Sequence, residues 1–180
     1  MTPAADWGTR PLAVVSSAHE VGGAEVYLMA LAEALGRSLP VVALLPAAAP
    51  GELVDALERA GVETRPVRGL ARRPSPLAAA RLAAALRMLD PALVHVNLTD
   101  QGDGVAALAA ASAARRPATA TLHLVIPRSA AWLERLSRAA LGRTRRVVAV
   151  SESVAVYLTE RGVATTVVPN GVAPPPTDPD

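Results

Sequence analysis

With 180 residues, 51% of them hydrophobic, the chain has the length of one ordinary domain and enough apolar material for a sizeable core. Phe is absent and Trp and Tyr number two each, so the core closes by packing Ala, Val and Leu, and the stacking aromatics of a single-strand nucleic-acid platform are missing. All 18 cationic side chains are Arg, which does not titrate near neutrality, so a net charge of only +2 lifts the pI to about 9.9 and that pI is no sign of nucleic-acid binding.

Apolar runs alternate with helical patterns, the mark of repeated βαβ units. A first strand is predicted over 12–16. A Gly-containing turn follows, then a helix from near Ala24 with Leu28, Leu31, Ala32 and Leu35 on one face, Glu33 and Arg37 paired on the wet face, and Gly36 at its end. The second strand, 41–45, stops at Pro46. Pro50 and Gly51 open a helix that Gly61 ends, and a strand over 62–67 and a basic loop over 68–74 come next. Ser75-Pro76 predicts a helix start, a hydroxyl cap followed by proline in the first turn, with the helix running to about Leu89.

The fourth strand is predicted over 93–97, then a polar loop over 99–103 and an Ala-rich helix ending near Arg115. A strand over 118–123 follows, then Pro127 and Ser129 ahead of a helix through Trp132, Leu133, Leu136 and Ala140. The sixth strand is 146–150. Ser151 caps a short helix with Val154 and Leu158 inward, and a last strand over 165–168 runs into Pro169-Asn170-Gly171-Val172. Residues 1–172 form the domain, and 173–180, made only of Ala, Pro, Thr and Asp, read as a Pro-rich linker or tail. The expected fold is α/β, a doubly wound, Rossmann-like parallel sheet of about seven strands with helices on both faces. Ligands in such sheets sit at the carboxyl ends of strands, which selects 17–25, 46–50, 97–103, 123–129 and 150–153.

Absent Cys rules out disulfides and thiolate metal sites. The polar stretch 1–11 lacks the apolar run of a signal peptide, and no segment reaches the ~20 apolar residues of a membrane span. A cytoplasmic location is expected, and the glycosylation-like triplet Asn97-Leu98-Thr99 is then a chance match at a strand end.

The first turn, from His19 to Glu25, holds Gly22 and Gly23, which let backbone approach a ligand closely, and a helix N-terminus that favours an anion such as a diphosphate. The same residues also suit a merely tight strand-helix connection. This is neither the GxGxxG fingerprint nor a P-loop, which disfavours a nicotinamide-binding protein. Of the three histidines, His95 is in mid-strand and is expected to pack within the sheet. His123 ends a strand and either reaches the cleft to hydrogen-bond a reacting group or is structural. A metal held by all three would need matched depths in the sheet, and no metal is expected. No Gly-x-Ser-x-Gly elbow supplies a hydrolase nucleophile. Glu20, Glu25, Asp100, Asp103 and Glu152 are cleft-side carboxylates, though Glu25 also suits a first-turn acid that complements the helix dipole. Ser151 is accounted for as a helix cap. Arg143, Arg145 and Arg146 beside Leu136 and Leu141 make either a weak peripheral membrane or acidic-partner surface or a solvated charged face.

The order of these features resembles the N-terminal half of a family 4-type, retaining glycosyltransferase of the GT-B fold. The resemblance rests on Gly22-Gly23-Ala24-Glu25 with Leu31-Ala32-Glu33-Ala34-Leu35, and on Gly51-Glu52-Leu53 with Ala60-Gly61-Val62. Further along lie Asp90-Pro91-Ala92-Leu93-Val94-His95-Val96-Asn97, Thr121-Leu122-His123, Val148-Ala149-Val150-Ser151-Glu152-Ser153 and Val167-Val168-Pro169-Asn170-Gly171-Val172. It implies transfer of a hexosyl group from a UDP- or GDP-sugar to a sugar acceptor. Gly22 and Gly23 would meet the donor diphosphate and His123 the reaction centre, while His19, Glu25, Asn97, Asp100, Ser151 and Glu152 would line the cleft or acceptor side. The family's nucleotide-binding C-terminal domain, with its basic and paired-glutamate donor contacts, has no counterpart in these residues. The domain alone is therefore expected to bind no cofactor and to be inactive without that domain, in cis or as a separate chain. A non-catalytic interaction or acceptor-binding module is the alternative.

Overall fold

The computed structural model describes residues 9–71, 73, 75–126 and 130–171. Among these, strands and helices alternate strictly: β1 (Leu12–Ser16), α1 (Gly23–Gly36), β2 (Val41–Pro46), α2 (Gly51–Arg59), β3 (Glu63–Val67), α3 (Pro76–Leu89), β4 (Leu93–Asp100), α4 (Val105–Ala113), β5 (Ala118–Leu124), α5 (Ala131–Leu141), β6 (Arg146–Ala149), α6 (Glu152–Glu160) and β7 (Thr165–Val167). Every pairing is parallel, in the order β3-β2-β1-β4-β5-β6-β7. The α/β, Rossmann-like expectation is met, down to seven strands.

Two cores sandwich the sheet. Leu28 and Ala32 of α1 and Leu53 and Leu57 of α2 pack on Leu12, Val14, Val41, Ala43 and Leu45. On the other face Leu82 and Leu86 of α3, Ala110 and Ala111 of α4 and Leu158 of α6 pack on Ala13, Val15, Val94, Val96, Ala120 and Leu122. Alternate residues of each strand serve opposite faces, so β1 and β2, with two covered faces, are apolar almost throughout. The Leu-rich helices fill volume while the Ala-rich α4 lets backbone come close, which is how a core without Phe reaches close packing.

Hydroxyl caps mark two of the helix starts. The Ser75 hydroxyl accepts from Ala78 N at 3.3 Å and the Ser151 hydroxyl from Val154 N at 3.4 Å. Several boundaries depart from expectation. β4 runs to Asp100, so Thr99 and Asp100 are strand rather than loop. Pairing continues as far as Asp100 against Leu124, which likewise extends β5 by one residue past His123. The connection to α4 is correspondingly short and turns on Gly104, whose φ is +66°. β6 ends at Ala149 rather than Val150 and β7 at Val167. Leu141 is buried in the core, so it is not part of an apolar surface beside the arginines; Trp132 and Leu136 of α5 are the exposed apolar residues there. Pro74, Pro127, Ser129, Val172 and the 173–180 tail lie outside the described residues.

Candidate functional site

β1 and β4 are neighbours in the sheet, yet the elements that follow them pack on opposite faces, so a crevice opens at their carboxyl ends. Ser16 of β1 lies in register with Asn97 of β4, and Asn97 with Thr121 of β5. The candidate residues converge at this level.

The first turn is held from within. Gly22 and Gly23 are exposed, and a Cβ at Gly23 would meet no heavy atom within 4 Å. Glu25 is buried, and its Oε2 accepts the Gly22 N–H at 3.1 Å. Its carboxylate thereby satisfies an amide just ahead of the helix and favours the positive end of α1. That is the dipole-complementing place, inside the turn rather than on a cleft wall. His19 is exposed on the same connection.

Asn97, only 1% exposed, joins this turn to β5. Its Nδ2 donates to the Ala24 carbonyl at 3.0 Å, and its Oδ1 lies 2.9 Å from His123 Nε2. The His123 ring meets Tyr27 of α1 edge-on, with centroids 4.8 Å apart. Its Nδ1 is shut off from water and has no partner among the described residues. His95 packs lower in the sheet, its Nδ1 3.0 Å from Thr119 Oγ1 and its Nε2 3.4 Å from Thr121 Oγ1. Burial lowers the pKa of His123 from 6.5 to about 4, and burial, with the nearby His123, does the same to His95. Both imidazoles are neutral at pH 7, so neither brings positive charge to an anion.

A second cluster fixes the floor behind Asn97. Asp103 accepts from the Ser17 hydroxyl and, through Oδ2, from Thr99 N at 3.0 Å. Asp100 is buried too and its Oδ1 accepts from Gly102 N at 2.7 Å and Asp103 N at 3.1 Å, so it braces the loop instead of facing a ligand with that oxygen. The Gln101 amide donates to the Ile126 carbonyl at 2.6 Å and accepts from its N–H at 2.9 Å, which ties the end of β4 to the end of β5. Burial pushes the Asp103 carboxyl up, against hydrogen bonds from Ser17, Thr99 and Gly104 that pull it down; nearby Asp100 adds to the rise. Ser151 and Glu152 open α6 beyond β6, Ser151 Oγ lying 2.9 Å from Ser153 Oγ; among the described residues no hydrogen bond links them to the Asn97–His123 pair. Among the described residues no three His, Asp or Glu side chains are placed to hold a metal ion.

Over residues 21–174 the sequence matches Glycosyltransferase Family 4. The chain belongs to Glycosyltransferase Family 4. Among solved structures, this glycosyltransferase domain is similar to Anabaena HepE (Alr3699), crystallised with UDP, at 21% identity and a TM-score of 0.71 over 90% of this chain and 44% of that one. It is similar to a glycosyltransferase of Rickettsia africae at 16% identity and a TM-score of 0.71, over 92% of this chain and 44% of that one. A putative oxidoreductase of Escherichia coli matches at 14% identity and a TM-score of 0.52, over 94% and 100% of the two chains. At these identities the likeness is one of fold. The domain thus spans less than half the length of the first two. Curated proteins include no match to its sequence.

Tyr27, Ser17 and Thr121 carry much of the site's geometry in this glycosyltransferase domain. Thr121 lies in the Thr121-Leu122-His123 motif and shares a strand face with His123 by alternation, and Ser17 opens the 17–25 segment, but neither is among the residues expected from sequence to line the site. Tyr27 and the partner of Ser17 become visible only through contacts across 94 and 86 residues of chain.

Proposed function

We propose that this glycosyltransferase domain forms the acceptor-side wall of a cleft in which a hexosyl group passes from a UDP- or GDP-sugar to a sugar acceptor with retention at the anomeric carbon. The domain is assigned to residues 1–172, and 173–180, by composition, to a Pro-rich linker or tail. The facing wall is a donor-binding domain, in cis or on a separate chain. The carrying observation is the join made by Asn97, which seats the exposed Gly22-Gly23 turn and His123 at one point of the β1/β4 switch. Such a turn, free of side chains and backed by a helix N-terminus, suits a diphosphate. HepE, a structural neighbour, was also crystallised with UDP-glucose.

In this reading Gly22 and Gly23 touch the donor diphosphate and His123 touches the transferred sugar. His19, Ser151 and Glu152 lie on the acceptor rim, and Glu25, Asn97 and Asp100 shape it from beneath. The two neutral histidines leave the phosphate charge to be met by the helix N-terminus and by cations of the facing domain. The domain works in the cytoplasm. Exposed Trp132 and Leu136 of α5, with Arg135 and Arg138 on the same helix and Arg143 after it, supply a weak peripheral contact with an anionic membrane surface. Among the described residues no helix is long and apolar enough to cross a membrane.

The test joins the chain to a donor-binding half from the same family and screens UDP- and GDP-hexoses for nucleotide release and sugar transfer. The product's anomeric configuration is read by NMR. The chain alone is expected to transfer nothing. Absence of transfer with every joined half and every donor would sink the catalytic reading and leave a domain that binds acceptors or partners.

A further inference from the structure

The two ends of the Asn97 amide are not interchangeable. Nδ2 faces the Ala24 carbonyl oxygen, which only accepts, so turning the amide over would set two oxygens against each other. Oδ1 is thereby aimed at His123 Nε2, 2.9 Å away, and being a carbonyl oxygen it too only accepts. The proton of the imidazole must then sit on Nε2. The other nitrogen agrees: Nδ1 is shielded from water and unpartnered among the described residues, and a buried N–H left without an acceptor is less tolerable than a buried lone pair left without a donor. The Tyr27 ring, edge-on at 4.8 Å, limits reorientation of the imidazole.

We propose that Asn97 is a positioning residue: anchored on the first turn of α1, it holds His123 as the Nε2–H tautomer, with Nδ1 as its remaining acceptor and no N–H left for a ligand. Two consequences follow from the chemistry. With Nε2 on Asn97 and Nδ1 closed to solvent, a ligand that meets His123 in this arrangement finds neither a free N–H nor an exposed lone pair on the ring. A shift of the Gly22-to-Glu25 turn reaches His123 through one side chain, because the Ala24 carbonyl belongs to that turn and Asn97 touches both. The tautomer does not rest on the proposed sugar transfer.

Among the described residues, the titratable groups seen near His123 are Tyr27 of α1 across the ring edge and His95 of β4, which lies within reach of Thr121 as Tyr27 does. The test is long-range proton–nitrogen correlation NMR on the full chain with nitrogen-15 histidine, for the parent, Asn97→Ala and Asn97→Asp. The parent is expected to show a single Nε2–H tautomer for His123 through the neutral range. Asn97→Ala is expected to give a mixture with Nδ1–H. Asn97→Asp places a carboxylate opposite Nε2, while its second oxygen faces the Ala24 carbonyl, and is expected to raise the proton affinity of His123 at least tenfold, read from its titration midpoint; should either variant fail to fold, the tautomer of the parent decides the proposal. An Nδ1–H parent, or a tautomer and titration unmoved by both substitutions, overturns the proposal. None of these readings depends on sugar transfer, so failure of the proposed function and failure of this assignment are told apart.

Discussion

Ser17, one residue past the end of β1, donates its hydroxyl to Asp103, just past the end of β4. Both side chains are buried, at 3% and 2% exposed, and with Thr99 N on the other carboxylate oxygen they lock together the two loops that frame the candidate site. Ser17→Ala is expected to cost about 1–3 kcal/mol, because it strips a buried carboxylate of a donor. The folded state holds the Asp103 proton more tightly than the unfolded state, whose value is near 3.8, so this group's contribution to stability is fullest at low pH and is lost as pH rises through its raised folded value. Removing the Ser17 bond raises that value further, so urea denaturation across pH should show a steeper loss in the variant.

The two neutral histidines act with the opposite slope. Their folded values lie near 4 against 6.5 unfolded, so the folded state binds fewer protons between those limits and stability falls as pH drops from 6.5 to 4. For the deeply buried His95 the loss amounts to about 3 kcal/mol, since each tenfold change in proton affinity corresponds to about 1.4 kcal/mol, and for the less buried His123 solvent screening makes it smaller. His95→Gln keeps polar atoms beside Thr119 and Thr121 and should flatten the slope by roughly half or more, as read by denaturation midpoints from pH 4 to 7.

Gly104 and Gly23 should separate stability from ligand binding. Gly104 has φ +66°, and a Cβ there would collide with Leu98 and press on Val96, both core residues. Gly104→Ala is expected to cost about 3 kcal/mol or more. Gly23→Ala meets open space at the start of α1 and should leave the melting temperature within about a degree or raise it. If the turn holds the donor diphosphate, the same substitution weakens donor binding in the joined enzyme by about tenfold, seen in KM for the sugar nucleotide.

Glu25→Ala removes the acceptor of the Gly22 N–H and a first-turn negative charge. About 1–2 kcal/mol of stability should go with it. The sharper readout is hydrogen exchange, in which Gly22 should lose protection more than amides in the middle of α1; equal protection in parent and variant would show that the carboxylate does not hold the turn.

Particular elements show why some of this is readable in the sequence and some is not. β1 is legible to the residue and α3 from its cap onward, because a run of covered apolar residues and a Ser-Pro start are written in consecutive positions. The far end of β4 escapes the sequence because Asp100 reads as a loop residue by composition, while its pairing with Leu124 is a property of another strand. Leu141 reads as surface beside three arginines and is core, since helical phase decides burial more than neighbours in sequence do. Glu25 and Asp100 do lie near the crevice, as their places in the chain imply, but which way a carboxylate turns depends on which amides lie within reach.

The sequence by itself determined the alternation of strands and helices, the parallel sheet and the family, since hydrophobic period, caps and ordered short motifs are all local. The partnership of Asn97 with Ala24 and His123, the clasp of Ser17 on Asp103 and the neutrality of His95 and His123 were decided only by tertiary structure. Each needs groups far apart in the chain, such as Asn97 and His123 or Ser17 and Asp103, to meet in a region closed to water. There, hydrogen-bond geometry and desolvation set both the charge and the direction of a side chain, and neither is a property of a residue alone.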